Sequence, residues 1–363
     1  MKIAIISSTF PTEKPGGVPT YVEGRATFLS RKVDVRVYAL GQGDSGDGSA
    51  RYRQVGLGPS SNFKKNFLFT WVRLLREIRR WRPDVLEVHN IPVGLPLFVL
   101  FPLLGVTRPT CFFHGPARLE AKIEGTSRIG YTLRYYLERF CLRRSRVSYC
   151  VSQAFRKVLL EEHSFLARQS RKVVIRYPRI NLPHEMDKPT GQTSDDKRLS
   201  FICVRRLVER TGTVQLLDAF LAAKESKQLP SDAVLRIVGN GPQKIILEEK
   251  IRDKSLSDSV ELLGHVSQEE RDRLFATSTF NVVPTIGLEG FGLVVVEAAF
   301  WGCPSIVTDV NALPEVISKL DGIGVVVPST PKGLQTALVN ATPLPIDQRQ
   351  HLKALARRKF GVS

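Results

Sequence analysis

KIAIIS (2–7), GGVPTYVEGRATFLS (16–30) and VDVRVYAL (33–40) follow one another at the start of the chain. The first and third are short apolar runs that read as strands. The second opens on two glycines and then sets Val22, Ala26 and Leu29 at helical spacing. Strand, glycine turn, helix, strand is the beginning of a doubly wound α/β domain. DVLEVHN (84–90), TCFFHG (110–115) and VSYCVS (147–152) read as further strands, the last followed by the helix QAFRKVLLEE (153–162). Ligands of open parallel sheets gather at the carboxyl ends of strands, and His89 and His114 stand there.

Working outward, RINLPHEMDKPTGQTSDDK (179–197) is polar, contains prolines and lacks periodicity, which marks a linker. A second alternation follows, with strands at LSFICVRRL, AVLRIVGN, VELLGHV, FNVVPT, PSIVTD and GIGVVV. The expectation is therefore an α/β chain of two Rossmann-like domains: residues 1–178, a linker at 179–197, and residues 198–363. Two such halves bind a ligand most naturally in the cleft between them. A length of 363 residues accommodates two domains of ordinary size.

The net charge of +18 implies an anionic partner: nucleic acid, anionic lipid or a phosphorylated substrate. FKKNFLFTWVRLLREIRRWRP (63–83) interleaves Lys and Arg with Phe67, Phe69, Trp71, Leu74, Leu75 and Ile78. Such a helix either lies on an anionic membrane surface or turns its apolar stripe to the sheet and its basic face to water. Residues 118–146 are a second basic stretch. IPVGLPLFVLFPLLGV (91–106), 16 residues with three prolines, falls short of the ~18 of a membrane span and reads as a helix buried in the first domain. MKIAIISSTF is too short in apolar residues for a signal peptide. Five cysteines without a CxxC pattern suggest reduced core thiols in a cytoplasmic protein. No GxxxxGK[ST] loop, DxD pair or metal-spaced His/Cys cluster occurs, so phosphate chemistry falls to cationic side chains and backbone amides.

IGLEGFGLVVVEAAFWGCP (286–304) sets a problem. Leu293–Trp301 is an apolar helix ended by Gly302 and Pro304, yet Glu297 lies inside it, and a lone buried carboxylate is costly. Loop glycines before a helix let backbone amides approach an anion. Glu297, one turn further in, suits the vicinal hydroxyls of a ribose, and Glu289 suits hydroxyls beyond the phosphates. Together they describe a site for a nucleoside-diphosphate sugar. The plainer reading pairs Glu297 with a core arginine and leaves Glu289 in water.

EGFGLVVVE (289–297) resembles the E-x7-E signature of retaining glycosyltransferases of family 4, which have the two-domain GT-B fold. The resemblance runs nearly the length of the chain: GGVPTYV, FHGP (113–116), CVRRLVERTG (203–212), LRIVGNGPQ (235–243), LLGHV (262–266) and GCPSIVTDVNALPEVI (302–317) match the family's segments in order. It implies that Glu297 holds the ribose and Glu289 the donor sugar. It assigns the diphosphate and sugar to amides of Gly290, Phe291, Gly292 and Leu293, and the base to backbone near Gly239 and Val266. Arg206 would pair the diphosphate, His114 would position sugar or acceptor, and Gly16 and Gly17 would let the first loop approach. The family's usual second cation, a lysine, is Thr211 here, with Arg210 beside it as a substitute. IRYPRIN (175–181) replaces the usual asparagine-glycine turn, and RRKFGVS (357–363) falls where a final helix usually crosses back; both bear on domain closure.

The implied activity is retaining, metal-independent transfer of a hexose from a UDP-sugar, UDP-glucose or a relative, to a lipid-linked or polysaccharide acceptor. It needs no cofactor and takes place in the cytoplasm, at the inner membrane face. Two alternatives stand beside it. One is a non-catalytic scaffold that binds nucleotide sugar, motivated by Thr211. The other is a nucleic-acid-binding protein, which the charge would suit but which lacks any recognisable RNA- or DNA-reading motif.

Overall fold

The computed structural model describes residues 1–10, 16–43, 52–59, 63–123, 125–182, 198–253 and 258–362. The chain divides into two compact units, Met1–Asn181 with Val362–Ser363, and Leu182–Gly361. Most of the expected linker, 183–197, lies outside the described residues; its first residues include a two-residue strand.

The first unit runs β1 (Lys2–Thr9), α1 (Gly17–Ser30), β2 (Asp34–Gly43), β3 (Arg53–Gly58), α2 (Phe63–Trp81), β4 (Val85–Val88), α3 (Ile91–Leu104) and β5 (Thr110–Phe113). It continues with α4 (Ala117–Ile123), α5 (Arg128–Arg144), β6 (Ser148–Cys150), α6 (Gln153–Glu162), β7 (Val173–Ile175) and β8 (Ile180–Asn181). Its sheet has the order β3-β2-β1-β4-β5-β6-β7, and every pairing is parallel. β1 is buried along almost its whole length, because helices cover both faces of a parallel sheet. β3 and β7 escape a reading by pattern: RQVGLG is broken by glycines and VVI is three residues long.

The two apolar helices of this unit divide their surfaces. On α2, Thr70, Leu74, Ile78 and Trp81 recur every three to four residues and enter the core. Leu68, Phe69 and Val72 stay more than 60% exposed, beside exposed Arg73, Arg76, Arg79 and Arg80. The stripe meets the sheet and an apolar edge still faces outward. On α3, capped by Asn90, residues Val93, Gly94, Leu97 and Phe98 are buried, but Leu103 is 81% exposed. The segment expected as a helix buried in the first domain is thus a helix of that unit with one face covered, since a helix on a sheet has only one face to bury. Among the described residues no helix is long and apolar enough to cross a membrane.

The second unit runs β9 (Ser200–Val204), α7 (Thr213–Glu225), β10 (Val234–Val238), α8 (Lys244–Asp253), β11 (Val260–Gly264), α9 (Gln268–Thr277) and β12 (Phe280–Val283). There follow α10 (Leu293–Phe300), β13 (Ser305–Thr308), α11 (Leu313–Lys319), β14 (Gly324–Val327), α12 (Pro331–Val339) and α13 (Ile346–Phe360). The six expected strands form one parallel sheet, β11-β10-β9-β12-β13-β14. Its core gathers Phe201, Phe220, Leu235, Ile237, Val282 and Ile306. All five cysteines are buried and free, and burial pushes Cys150, Cys203 and Cys303 up to about 12.

In each sheet the strand order reverses beside the first strand, between β1 and β4 and between β9 and β12. Loops leaving adjacent strands there turn to opposite faces and open a crevice. His89 follows β4, Arg205 and Arg206 follow β9, and the loop carrying Glu289 follows β12.

Candidate active site

In the second unit, Arg205 leaves β9 and donates from Nη2 to Glu289 Oε2 at 2.7 Å and to Thr285 Oγ1 at 2.9 Å. The other oxygen of Glu289 accepts from the Gly292 N–H at 3.1 Å, and its own N–H donates to Asn311 Oδ1 at 3.1 Å. Glu289 is thus not a solvated loop residue. Burial pushes its carboxyl up, but the charge of Arg205, with Arg210 further off, outweighs that and holds it below its ordinary value.

Arg210 donates from Nη1 to Leu288 O at 2.8 Å, and its own carbonyl accepts from Ile286 N at 2.9 Å. It therefore lines the Glu289 loop. Thr211 is buried, its hydroxyl turned onto the carbonyls of Arg206 (2.8 Å) and Val208 (2.6 Å). Arg206 is exposed, and its guanidinium makes no hydrogen bond or ion pair among the described residues.

α10 begins at Leu293 behind Gly292, which adopts φ 84° and ψ 55° and supplies no side-chain cap. First-turn N–H groups of a helix have no partner within it, so this end favours an anion. The Phe291 ring is buried against Phe360, centroids 5.7 Å apart, and anchors the glycine loop. Glu297 is half-buried, and no ion pair engages it among the described residues. It adds to the charge that, after burial, helps raise the carboxyl of Asp272 on α9. No core arginine among the described residues neutralises it.

Gly239 and Val266 sit at the ends of β10 and β11, Val266 just before Ser267, which caps α9. Gly239 has a reason of its own to be glycine. It adopts φ 138°, and a Cβ there would lie 1.8 Å from Arg205 O. Gly239→Ala should therefore lower the stability of the second unit by roughly 2–4 kcal/mol through strain and overpacking together, read from the midpoint of chemical denaturation.

In the first unit, Gly16 precedes α1, and a Cβ there would meet nothing closer than Pro19 Cδ at 3.8 Å. The fold itself does not demand a glycine at that position. His114, just past β5, is half-buried and held on both sides. Its Nε2 lies 2.9 Å from His89 Nδ1, and Tyr21 meets its ring edge-on at 5.1 Å. Beyond Gly115 and Pro116, Ala117 N donates to the buried Glu138 at 2.9 Å.

Behind the two histidines lies a buried ion pair. Arg25 of α1 grips Glu87 of β4 with two bonds, Nε to Oε2 at 2.6 Å and Nη2 to Oε1 at 2.5 Å. Burial pushes the Glu87 carboxyl up, yet His89 and Arg25 outweigh it and hold it down to about 2. His89 Nε2 is 3.7 Å from Glu87 Oε2, an approach longer than a hydrogen bond, so the bidentate Arg25 is the firmer of the two contacts. Burial likewise pushes both histidines below their ordinary values, His114 further with His89 beside it.

Sequence reasoning assigned no role to Arg205, Thr285 or Asn311, nor to Arg25, Glu87 or the pairing of His89 with His114. One signal was available. Glu87 is a carboxylate inside an apolar strand, the same anomaly that drew attention to Glu297 inside an apolar helix.

Family models match the chain in two consecutive blocks, Glycosyltransferase Family 4 over residues 15–178 and Glycosyl transferases group 1 over residues 187–358. The chain belongs to this family of glycosyltransferases, with the two-unit GT-B architecture.

Among individual proteins, it resembles a component of human phosphatidylinositol N-acetylglucosaminyltransferase, with 35% identity over 143 residues, spanning 38% of this chain and 28% of that one. An uncharacterised glycosyltransferase of Methanocaldococcus jannaschii, MJ1607, is 26% identical over 90% of this chain and 85% of its own. Anabaena Alr3699/HepE, solved in complex with UDP-glucose, shares the fold with a TM-score of 0.73 at 16% identity, covering 99% of this chain and 96% of that one. The chain thus spans little more than a quarter of the human relative's length.

Proposed function

We propose that this protein is a retaining, metal-independent hexosyltransferase that uses a UDP-sugar, UDP-glucose or a relative, and delivers it to a lipid-linked or polysaccharide acceptor. The observation that carries this reading is the grouping at the carboxyl ends of β9 and β12. There the α10 end, where Gly292 supplies no side-chain cap, the free cation of Arg206 and the unpaired carboxylate of Glu297 stand on neighbouring elements among the described residues.

In this reading the amides of Gly290–Leu293 and the guanidinium of Arg206 take the diphosphate. Arg210 adds positive charge beside the loop, where the family's lysine is replaced by Thr211. Glu297 takes the ribose hydroxyls, and backbone at Gly239 and Val266 takes the base. Glu289 receives sugar hydroxyls alongside Arg205, Gly16 and Gly17 admit the first loop to the donor, and His114 positions sugar or acceptor. The bond from the anomeric carbon to the phosphate oxygen breaks while the acceptor oxygen bonds to the same face. The departing phosphate oxygen takes the acceptor's proton, and the cations stabilise the charge developing on it. Glu289 is a poor nucleophile in this arrangement, because Arg205 engages one carboxylate oxygen and Gly292 the other.

HepE is solved with UDP-glucose, and the human relative's name specifies N-acetylglucosamine and phosphatidylinositol; both are in keeping with a UDP-sugar and a lipid acceptor. The exposed Leu68, Phe69 and Val72 of α2, flanked by arginines, suit peripheral contact with an anionic membrane. The inward-turned Thr211 favours a second reading, a non-catalytic scaffold that binds the same nucleotide sugar.

Titration calorimetry with UDP, GDP, ADP and their glucose conjugates, with and without Mg²⁺, tests the reading. One base should bind without metal. Glu297→Ala should weaken that binding by roughly 10- to 100-fold, as expected for hydrogen bonds to a charged group worth about 1.5–3 kcal/mol. Failure to bind any of them would remove the donor site. Binding without donor hydrolysis or transfer would leave the scaffold.

A further inference from the structure

The buried chain Arg25–Glu87–His89–His114 has a polarity. We infer that His89 is a positioning residue that holds His114 in one tautomer, so that His114 presents a bare Nδ1 acceptor to a hydroxyl of its ligand. This deepens, and rests on, the reading of His114 as the residue facing sugar or acceptor.

Glu87 sets the direction. Bidentate contact with Arg25 keeps its carboxylate charged, and Oε2 stands 3.7 Å from His89 Nε2. A lone pair on Nε2 would face that negative charge, whereas an N–H facing it is attracted. The proton of neutral His89 therefore belongs on Nε2, which has no hydrogen-bond partner of its own among the described residues. The ring cannot readily turn over, because it lies flat on Phe112 with centroids 4.0 Å apart and planes 14° apart.

His89 Nδ1 is then a lone pair, 2.9 Å from His114 Nε2. Of two neutral imidazoles in hydrogen-bond contact, one donates and the other accepts. His114 must donate from Nε2, which leaves its Nδ1 unprotonated. That nitrogen makes no hydrogen bond among the described residues. A bare ring nitrogen attracts an O–H and repels a phosphate or carbonyl oxygen, so the group recognised is a hydroxyl acting as donor. Tyr21, edge-on to the same ring, holds the plane in which that nitrogen points.

Long-range ¹H–¹⁵N correlation spectra of the histidine-labelled full-length protein test this directly, with His89→Phe and His89→Asn beside the wild type. His114 should appear as the neutral Nε2–H tautomer in the wild type. It should keep that state in His89→Asn, whose side-chain oxygen replaces the Nδ1 acceptor, and lose it in His89→Phe, which keeps the stacking alone. Hydrolysis of UDP-glucose should follow the same order. kcat should fall roughly three- to tenfold in His89→Phe, the scale of one neutral hydrogen bond, while the Kd for UDP is unchanged.

An Nδ1–H tautomer in the wild type, or one spectrum shared by all three proteins, overturns the inference. If His89→Phe does not fold, the wild type and His89→Asn still decide it. The expected tautomers in a protein that binds no nucleotide sugar would instead count against the proposed function and leave the inference standing.

Discussion

Glu87→Ala should cost the first unit about 3–5 kcal/mol, the penalty for leaving one member of a buried ion pair uncompensated. Arg25 and Glu87 are 8% and 3% exposed, so water does not take over the lost contacts. The deletion strands a guanidinium between α1 and β4, above the Phe112 ring, and removes the charge that orients His89. Chemical denaturation at pH 7 should show the loss as a lower midpoint.

The same pair makes a pH prediction with a definite sign. Glu87 is held down to about 2 in the fold, against about 4.3 in an unfolded chain. A carboxyl lowered by folding contributes stability that is fully present above the unfolded value and is lost as pH falls through the folded one. The gap between wild type and Glu87→Ala should therefore be constant from pH 7 to about 5 and narrow between roughly pH 4.5 and 2. A gap that stays constant down to pH 2 would mean that the carboxylate is not the source of the stability.

Glu289→Gln should reduce sugar transfer or donor hydrolysis by roughly 10- to 100-fold. The carboxylate accepts from Arg205 and from the Gly292 N–H, and Arg205 is itself only 9% exposed. Glutamine keeps the size but has a single acceptor oxygen. Whichever way the amide turns, its NH₂ faces either the guanidinium or the Gly292 N–H, and the Arg205 charge is left uncompensated. Charge-assisted hydrogen bonds are worth about 1.5–3 kcal/mol each, which converts to the stated range at tenfold per 1.36 kcal/mol. Binding of UDP alone should change much less, because Arg206 and Glu297 are untouched. Steady-state rates beside UDP titration separate these outcomes. Equal losses in rate and in UDP affinity would mean that the Glu289 loop holds the diphosphate rather than the sugar.

Much of this was readable along the chain. All six strands of the second unit's main sheet were readable as short, mainly apolar runs, because a parallel strand covered on both faces needs a largely apolar sequence. The helix from Leu293 to Phe300 was readable despite three consecutive valines, since Gly292 starts it and Gly302 and Pro304 stop it. The anomaly of Glu297 was equally plain, as one carboxylate in an apolar run.

Pairing over long separations left no trace in local pattern. Arg25 and Glu87 are 62 residues apart, His89 and His114 are 25, and Arg205 and Glu289 are 84. Arg205 meets Glu289 because β12 lies beside β9, Arg25 of α1 meets Glu87 because β4 lies beside β1, and the two histidines leave the adjacent strands β4 and β5. Composition also could not divide α2. Its apolar residues outnumber what one helical face can bury, and the sheet surface selected Leu74 and Ile78 for the core and left Leu68 and Phe69 outside. Residue type and spacing thus specify which elements form and where charge is anomalous, because strand and helix periods are local. Which charge meets which, and which side of a helix is covered, follows from the parallel register of β1 with β4 and of β9 with β12, where backbone hydrogen bonds between distant segments set the distances.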